Sequence, residues 1–272
     1  MITKKKRALL YLLDKKQSLT KLQLVKLLFL ASQDNPLYDF VPYRYGPFSF
    51  QMYTDISHLE RDGYLLETDT MVTSLNQEFP LPDRSIQRSI DQVVRQFGDK
   101  AERELIDHIY SHYPETTIFS EIEKRKTYER NETGVVTIGY EGKSIDRFLS
   151  MLIDSKVGKV IDVRRNAFSM KYGFSKNQIS SYLKHMGITY LHMPELGIQS
   201  TRRQNLTDQG YAKLFHEYHQ ELGEKAAYLN TIKTIAEDEK VALLCFEAKA
   251  SDCHRGVIAE RFREEGMEVV DL

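Results

Sequence analysis

Cysteine is scarce in this chain, with two residues among 272. Two thiols cannot build a disulfide framework for a protein of this size, so reduced cysteines and a cytoplasmic setting are expected. Long apolar runs are missing too. The hydrophobic stretches are interrupted every few residues and none approaches the roughly 20 residues of a membrane span, so no membrane partner is expected. Met1-Ile-Thr-Lys-Lys-Lys-Arg resembles the start of a signal peptide, but Asp14, Lys15 and Lys16 follow too soon and no small-residue cleavage site appears. An excess of either charge is also lacking. With 38 Lys and Arg against 39 Asp and Glu the formal net charge is −1, which carries no global mark of nucleic-acid binding. No internal repeat or low-complexity segment occurs.

What is present, 41% hydrophobic and 28% charged residues, is enough for one large domain or two ordinary ones. The first half reads as mainly helical. Residues 8–13 and 21–31 have helical apolar spacing, Ser18 or Thr20 is a fitting cap for the second helix, and Tyr43-Arg-Tyr-Gly-Pro-Phe-Ser is a turn signal. A helix over 50–61, a short strand from Tyr64, a loop or wing over 66–84 and helices near 85–97 and 100–112 complete a winged-helix-like domain over 1–123. Its first 30 residues hold eight Lys or Arg against one Asp. That imbalance makes Lys4, Lys5, Lys6, Arg7 and Lys21 candidates for nucleic-acid binding, while a solvated helical face with a basic tail explains the same charges.

The charged run over 124–133 lacks core residues and reads as a linker. From Gly134 onward strands and helices alternate: Val135-Val-Thr-Ile-Gly, a helix over 144–153, Lys159-Val-Ile-Asp-Val-Arg, a Ser175-capped helix, Ile188-Thr-Tyr-Leu-His-Met, helices over 211–237, Val241 to Phe246 and Met267 to Leu272. Such alternation predicts an α/β domain over 134–272, a mostly parallel sheet covered on both faces. Ligands of open α/β sheets bind at the carboxyl ends of the strands. There the sequence gathers Tyr140, Asp162, Arg164, Arg165, Glu195, Cys245, Glu247, Cys253, His254 and Arg255.

Several chemistries compete for these residues. Arg164 and Arg255 are expected to clamp phosphate or carboxylate, with Arg165, Tyr140, Asp162, Cys245 and His254 around them and Glu195 or Glu247 as acid or base. A structural ion network, in which Asp162 and Glu247 merely neutralise the arginines, is the plainer alternative. Cys253 at a helix start beside His254 and Arg255 has the surroundings of an activated thiol. The ten positions from Cys245 to Arg255 and the two from Cys253 to Arg255 do not fit an anion loop of the sulfurtransferase or cysteine-phosphatase kind. No metal is expected, because Cys245, Cys253 and His254 lack a paired Cys-x2-Cys and neighbouring Cys-His side chains rarely converge on one ion. Phe168, Tyr172 and Phe174 among Arg164, Arg165 and Lys171 form an aromatic-basic loop suited to a base and its phosphate, while core packing accounts for Phe174 about as well. Gly139-Tyr-Glu-Gly lacks the third glycine of a dinucleotide fingerprint, so no cofactor is expected.

Thr137-Ile-Gly-Tyr-Glu-Gly-Lys-Ser, Ile161-Asp-Val-Arg-Arg-Asn, Phe174-Ser-Lys, Tyr190-Leu-His-Met-Pro-Glu-Leu-Gly, Leu244-Cys-Phe-Glu and Cys253-His-Arg give residues 134–272 a resemblance to the domain-of-unknown-function 488 family. The resemblance implies a Rossmann-like α/β fold. Through Lys21-Leu-Gln-Leu-Val-Lys-Leu-Leu-Phe and Tyr45-Gly-Pro-Phe-Ser the first half resembles the Panacea-type domain of antitoxin and phage-associated proteins, which implies an interaction or regulatory module. The expectation is thus a recognition domain fused to an α/β domain that binds a nucleotide or nucleic-acid phosphate, with hydrolysis or transfer on it as the reaction if the site is catalytic. A non-enzymatic ligand sensor, whose first half binds DNA or a protein partner, is the alternative. A thiol-dependent, sulfurtransferase-like enzyme comes third.

Overall fold

The computed structural model describes residues 2–204 and 206–272. They form two compact units, Met1–Tyr128 and Glu129–Leu272.

In the first unit α1 (Lys4–Lys16) and α2 (Lys21–Asp34) are joined by β1 (Ser18–Thr20), and Thr20 and Gln23 form a reciprocal capping box at the start of α2. A short hairpin, β2 (Val41–Tyr43) and β3 (Gly46–Phe48), precedes α3 (Phe50–Arg61). Then come β4 (Leu65–Glu67), β5 (Met71–Ser74), α4 (Arg84–Phe97) and α5 (Glu102–His112). Leu9, Leu13, Leu24, Leu28, Ile56, Ile90 and Ile109 meet in one core. Two local expectations change. The helix begins at Lys4, because Thr3 accepts a hydrogen bond from Lys6 N and caps it, so Lys4–Arg7 are its first turn rather than a tail. The stretch expected as loop or wing contains β5, which pairs antiparallel with both β1 and β4 in the order β1-β5-β4.

The second unit is the expected α/β domain. Its strands are β6 (Gly134–Gly139), β7 (Lys159–Asp162), β8 (Thr189–His192), β9 (Lys240–Cys245) and β10 (Val269–Asp271). All pair in parallel in the order β10-β6-β9-β7-β8. Central position explains the unbroken apolar run of β9. Val241, Leu243 and Cys245 join a core with Tyr218 of α8 (Asp208–Glu221), Ile232 of α9 (Ala226–Asp238) and Phe262 of α10 (His254–Glu264). Ala242 and Leu244 alternate to the opposite face and are equally buried. Along the chain α6 (Ile145–Asp154) and α7 (Lys176–His185) supply Phe148, Leu149, Leu152, Ile179 and Leu183 as buried side chains. Because β9 lies between β6 and β7, the carboxyl ends of three adjacent strands converge on one rim.

Candidate functional site

The rim is built on a close backbone approach. Gly139 ends β6 opposite Cys245, and a Cβ on it would stand 1.7 Å from the Glu247 carbonyl oxygen, so only glycine lets the chain after β9 cross there. The crossing is tied down by Arg255, which is 1% exposed. Its Nη1 donates to Glu247 O at 2.6 Å, Nη2 to Ala248 O at 3.0 Å and Nε to Thr137 Oγ1 at 3.4 Å. The short turn Ala250–Asp252 lies against the start of α10, where a Cβ on Gly256 would be 2.1 Å from Ala250 O. The anion expected at this helix start, in the grip of Arg255, therefore meets a guanidinium already donating from all three nitrogens and a helix end covered by its own chain.

Arg164 is bound in the same manner. Asp162 accepts from its Nε at 2.8 Å and from its backbone N at 3.1 Å, and takes a further bond from Tyr190 Oη at 2.6 Å. Arg164 Nη1 donates to Tyr140 Oη and Phe174 O, each at 3.0 Å. Tyr140 stacks on Phe174 with ring centroids 4.3 Å apart. For Arg164 and Asp162 the ion network weighed above describes the contacts, whereas Arg255 is held by two backbone carbonyls and a hydroxyl. Together these bonds hold the rim rigid.

At the end of β9 the two cysteines meet His254. Cys253, in extended backbone ahead of α10, places Sγ 3.8 Å from His254 Nδ1, and Cys245 Sγ lies 3.8 Å from Nδ1 and 4.0 Å from Nε2. All three residues are buried. His254 Nε2 faces Val163 O at 2.9 Å, and Cys245 Sγ donates to Glu247 Oε2 at 3.3 Å. Burial opposes ionisation of Cys253, but hydrogen bonds from Cys245 and His254 and the charges of His254 and Arg255 outweigh it and hold this thiol well below its ordinary range. Cys245, bonded to Cys253 and buried, is pushed well up. Burial also raises the Glu247 carboxyl, with Cys253 adding to the shift. Burial lowers the His254 imidazole, yet contact with Cys253 carries it above the usual value.

A cavity of about 260 Å³ opens over this cluster. Tyr140, Arg164, Cys245 and Glu247 line it from the strand ends, His254 from the start of α10, Arg165, Asn166 and Phe168 from the loop after β7, Phe246 from the β9 end, and Ser200 and Arg203 from the loop after β8. Among the described residues Glu247 is the one carboxylate in that lining. Arg165 is exposed with Nη1 donating to Pro194 O at 3.2 Å; Arg203 Nη1 lies 3.8 Å from Glu247 Oε1 and its Nε is a buried donor with no partner among the described residues. Phe168 is 69% exposed and Phe246 42%.

Besides Asp162 and Arg255, three further expected site residues of this unit lie outside the lining. Cys253 does not line the cavity, whereas Cys245 and His254 do. Thus the thiol that is activated is not the one that faces the opening. Glu195 is exposed on the turn Pro194–Leu196 and is also outside the lining. Lys171 spends its ammonium on Tyr140 O at 2.8 Å, bracing the loop. Arg203, which the sequence reading missed, had one signal: Ser200-Thr-Arg-Arg lies in the loop that leaves a strand already placed at this rim.

In the first unit, Lys4 pairs with Asp83 at 3.4 Å, Lys16 with Asp99 at 2.6 Å and Lys21 with Glu67 at 2.7 Å. Lys5 lies over the Tyr38 ring, Arg7 Nε donates to Ile2 O, and Lys6 acts on the buried Asp55. Acidic residues distant in sequence thus offset the basic excess. A second cavity, about 410 Å³, lies between α2 and the β2–β3 hairpin, with Leu22, Val25, Tyr43, Phe48 and Tyr53 in its walls and Lys26 at its base. Among the described residues no helix is long and apolar enough to cross a membrane.

No curated protein matches the chain. The family model of the domain of unknown function DUF488 matches over residues 144–262, which takes in the strand ends after β7, β8 and β9 and α10 up to Phe262. The match lies wholly within the second unit, Glu129–Leu272, which is thus similar to the DUF488 family over residues 144–262.

Proposed function

We propose that the second unit binds a phosphorylated, ring-bearing ligand, a mononucleotide or the terminal nucleotide of a strand, at the carboxyl edge of β6, β9 and β7, and acts on it through Glu247. The observation that carries this is one small cavity combining the guanidinium groups of Arg165 and Arg203, the exposed rings of Phe168 and Phe246, and a single carboxylate. Two arginine forks suit phosphate oxygens, exposed rings offer a stacking face, and a half-buried carboxylate within the same space is placed for proton transfer. Volume decides the size class. About 260 Å³ is at or below the low end of small-molecule pockets, which favours one nucleotide over a dinucleotide.

Of the two partners expected for the first unit, the ion pairs of Lys4, Lys16 and Lys21 favour a protein over a phosphate backbone. Its three leading helices with the sheet order β1-β5-β4 support the winged-helix-like reading of that unit.

Calorimetric titration of the whole chain with nucleoside mono-, di- and triphosphates and 5′-phosphorylated oligonucleotides tests the proposal. Binding is expected for at least one class, weakened roughly 10-fold or more by Arg203→Met or Arg165→Met, as for loss of a charge-assisted pair. Glu247→Gln should keep the binding and lose turnover. If none of these ligands binds, or binding is indifferent to both arginines, the reading fails.

A further inference from the structure

We infer that Cys245, Cys253 and His254 form a three-ligand site for a zinc-class divalent cation, its remaining coordination position opening on the cavity beside Glu247. The geometry begins with distances. His254 Nδ1 is 3.8 Å from each sulfur, and the three ligand atoms lie within 4.8 Å of one another. Bonds of about 2.3 Å to sulfur and about 2.0 Å to nitrogen put the corners of a tetrahedral zinc site roughly 3.5 Å apart for sulfur and nitrogen and roughly 3.8 Å apart for two sulfurs. Shifts of a few tenths of an ångström on the sulfur–nitrogen edges and of up to about 1 Å on the sulfur–sulfur edge, with a turn of the imidazole, bring these groups onto one ion. Equal spacing of one nitrogen from two sulfurs suits a shared ion better than a hydrogen bond, which has one proton to place.

A second observation lies behind the ligands. Val163 O accepts from His254 Nε2 at 2.9 Å, which keeps a proton on that nitrogen and leaves the Nδ1 lone pair for the cysteine side. A backbone carbonyl on the far nitrogen is the usual outer support of a metal-bound imidazole. The backbone then answers the objection raised by adjacency. Cys253 is extended, at φ −142° and ψ 145°, while His254 is the first residue of α10, so the change of conformation between them lets consecutive side chains reach one point. Cys245 comes to that point from the end of the central strand. Each anchor belongs to a regular element rather than a free loop.

Ligand type selects the metal class: two thiolates and an imidazole favour zinc over the oxygen-seeking magnesium and calcium. Cys245, His254 and Glu247 line the cavity and Cys253 does not, so the position left for a further ligand is on the cavity side, beside Glu247. Three protein ligands with one open position characterise zinc sites that meet substrates rather than purely structural ones. The inference holds whatever the cavity binds, because it rests on the cluster beneath it.

The test uses zinc alone, on the whole chain, stripped by chelator and kept in a non-thiol reductant. Competition with a chromophoric chelator should give one zinc per chain, and cobalt in its place should show intense thiolate-to-metal absorption in the near ultraviolet. Cys245→Ser and Cys253→Ser should each weaken zinc by roughly 100-fold or more, beyond the loss typical of an outer-shell change. Since the chain has two cysteines, a thiol reagent reports on this pair and no other, and zinc should protect both. Zinc held equally well by both serine variants, cobalt without thiolate absorption, or thiols that react equally fast with and without zinc would overturn the site. Should the serine variants misfold, the cobalt spectrum and thiol protection of the unaltered chain decide it. Arg203→Met, the probe of the nucleotide reading, should keep zinc within a few-fold, so either proposal can fail without the other.

Discussion

Lys26 shows at the scale of one residue how burial overrides a reading from charge. Counted among the basic residues of the first segment, it is 2% exposed, and its ammonium donates to the carbonyls of Tyr45 and Pro47. Burial brings its pKa down to about 7. Between about pH 7 and its ordinary value of 10.5 the unfolded chain holds a proton that the folded chain has lost, so the contribution of Lys26 to stability rises with pH across that window. Denaturant melts of the intact chain and of Lys26→Met at pH 7 to 10 should show the difference moving in favour of the lysine, at a slope of up to about 1.4 kcal/mol per pH unit. A constant difference would show that the lysine keeps its proton. Arg255 yields a second prediction at this scale. Its three nitrogens hold the backbone after β9 and an inner hydroxyl, so Arg255→Lys, which cannot reproduce the planar fork, should cost about 1 to 3 kcal/mol in the same melts. Unchanged stability with a loss of nucleotide binding would instead return Arg255 to the role of anion clamp.

Elements were legible in the sequence where one signal was strong and misread where tertiary contacts decided. β9 could be placed because Val241 to Leu244 is apolar without alternation, as burial on both faces demands, and that placement brought its carboxyl end into view as a site. β1 and β5 were not legible. Each is three or four residues long with a mixed burial pattern, and their pairing joins Ser18 to Thr73 across a separation no local pattern carries. The rim itself was read in outline: the strand-end residues are where the alternation put them, whereas the division of labour among them was hidden. Proximity of Asp162 and Arg164 in sequence fits a bidentate pair and a ligand clamp equally well, and only Tyr190 and Phe174, from other elements, complete the pair. Glu195 was placed correctly on the rim's side of β8, yet the short turn Pro194–Leu196 leaves it exposed outside the cavity. Arg203 lay in a stretch with no regular pattern at all.

For the whole molecule the consequential question is whether the second unit, which carries the DUF488 match, needs the unit that precedes it. The core formed by Val135, Ile161, Tyr218, Val241, Ile258 and Phe262 draws only on residues of the second unit, and the core around Leu13, Leu28 and Ile109 only on the first. Every strand of the five-stranded sheet and every residue lining the cavity over Cys245 likewise falls within Glu129–Leu272. A parallel sheet with buried residues on both faces and its own helices has the makings of an independent cooperative unit. A fragment beginning at Glu129 keeps the ion pair between Glu132 and Lys240 and the Arg130 bonds to the carbonyls of Met186 and Gly187, which tie its first residues to the rest of the domain. Calorimetry on that fragment should give one cooperative transition whose calorimetric and van't Hoff enthalpies agree. The zinc and nucleotide titrations on it should match those of the whole chain. A fragment that melts without cooperativity while the whole chain behaves well would mean that the first unit is needed to complete the fold, and that the two cores are not independent.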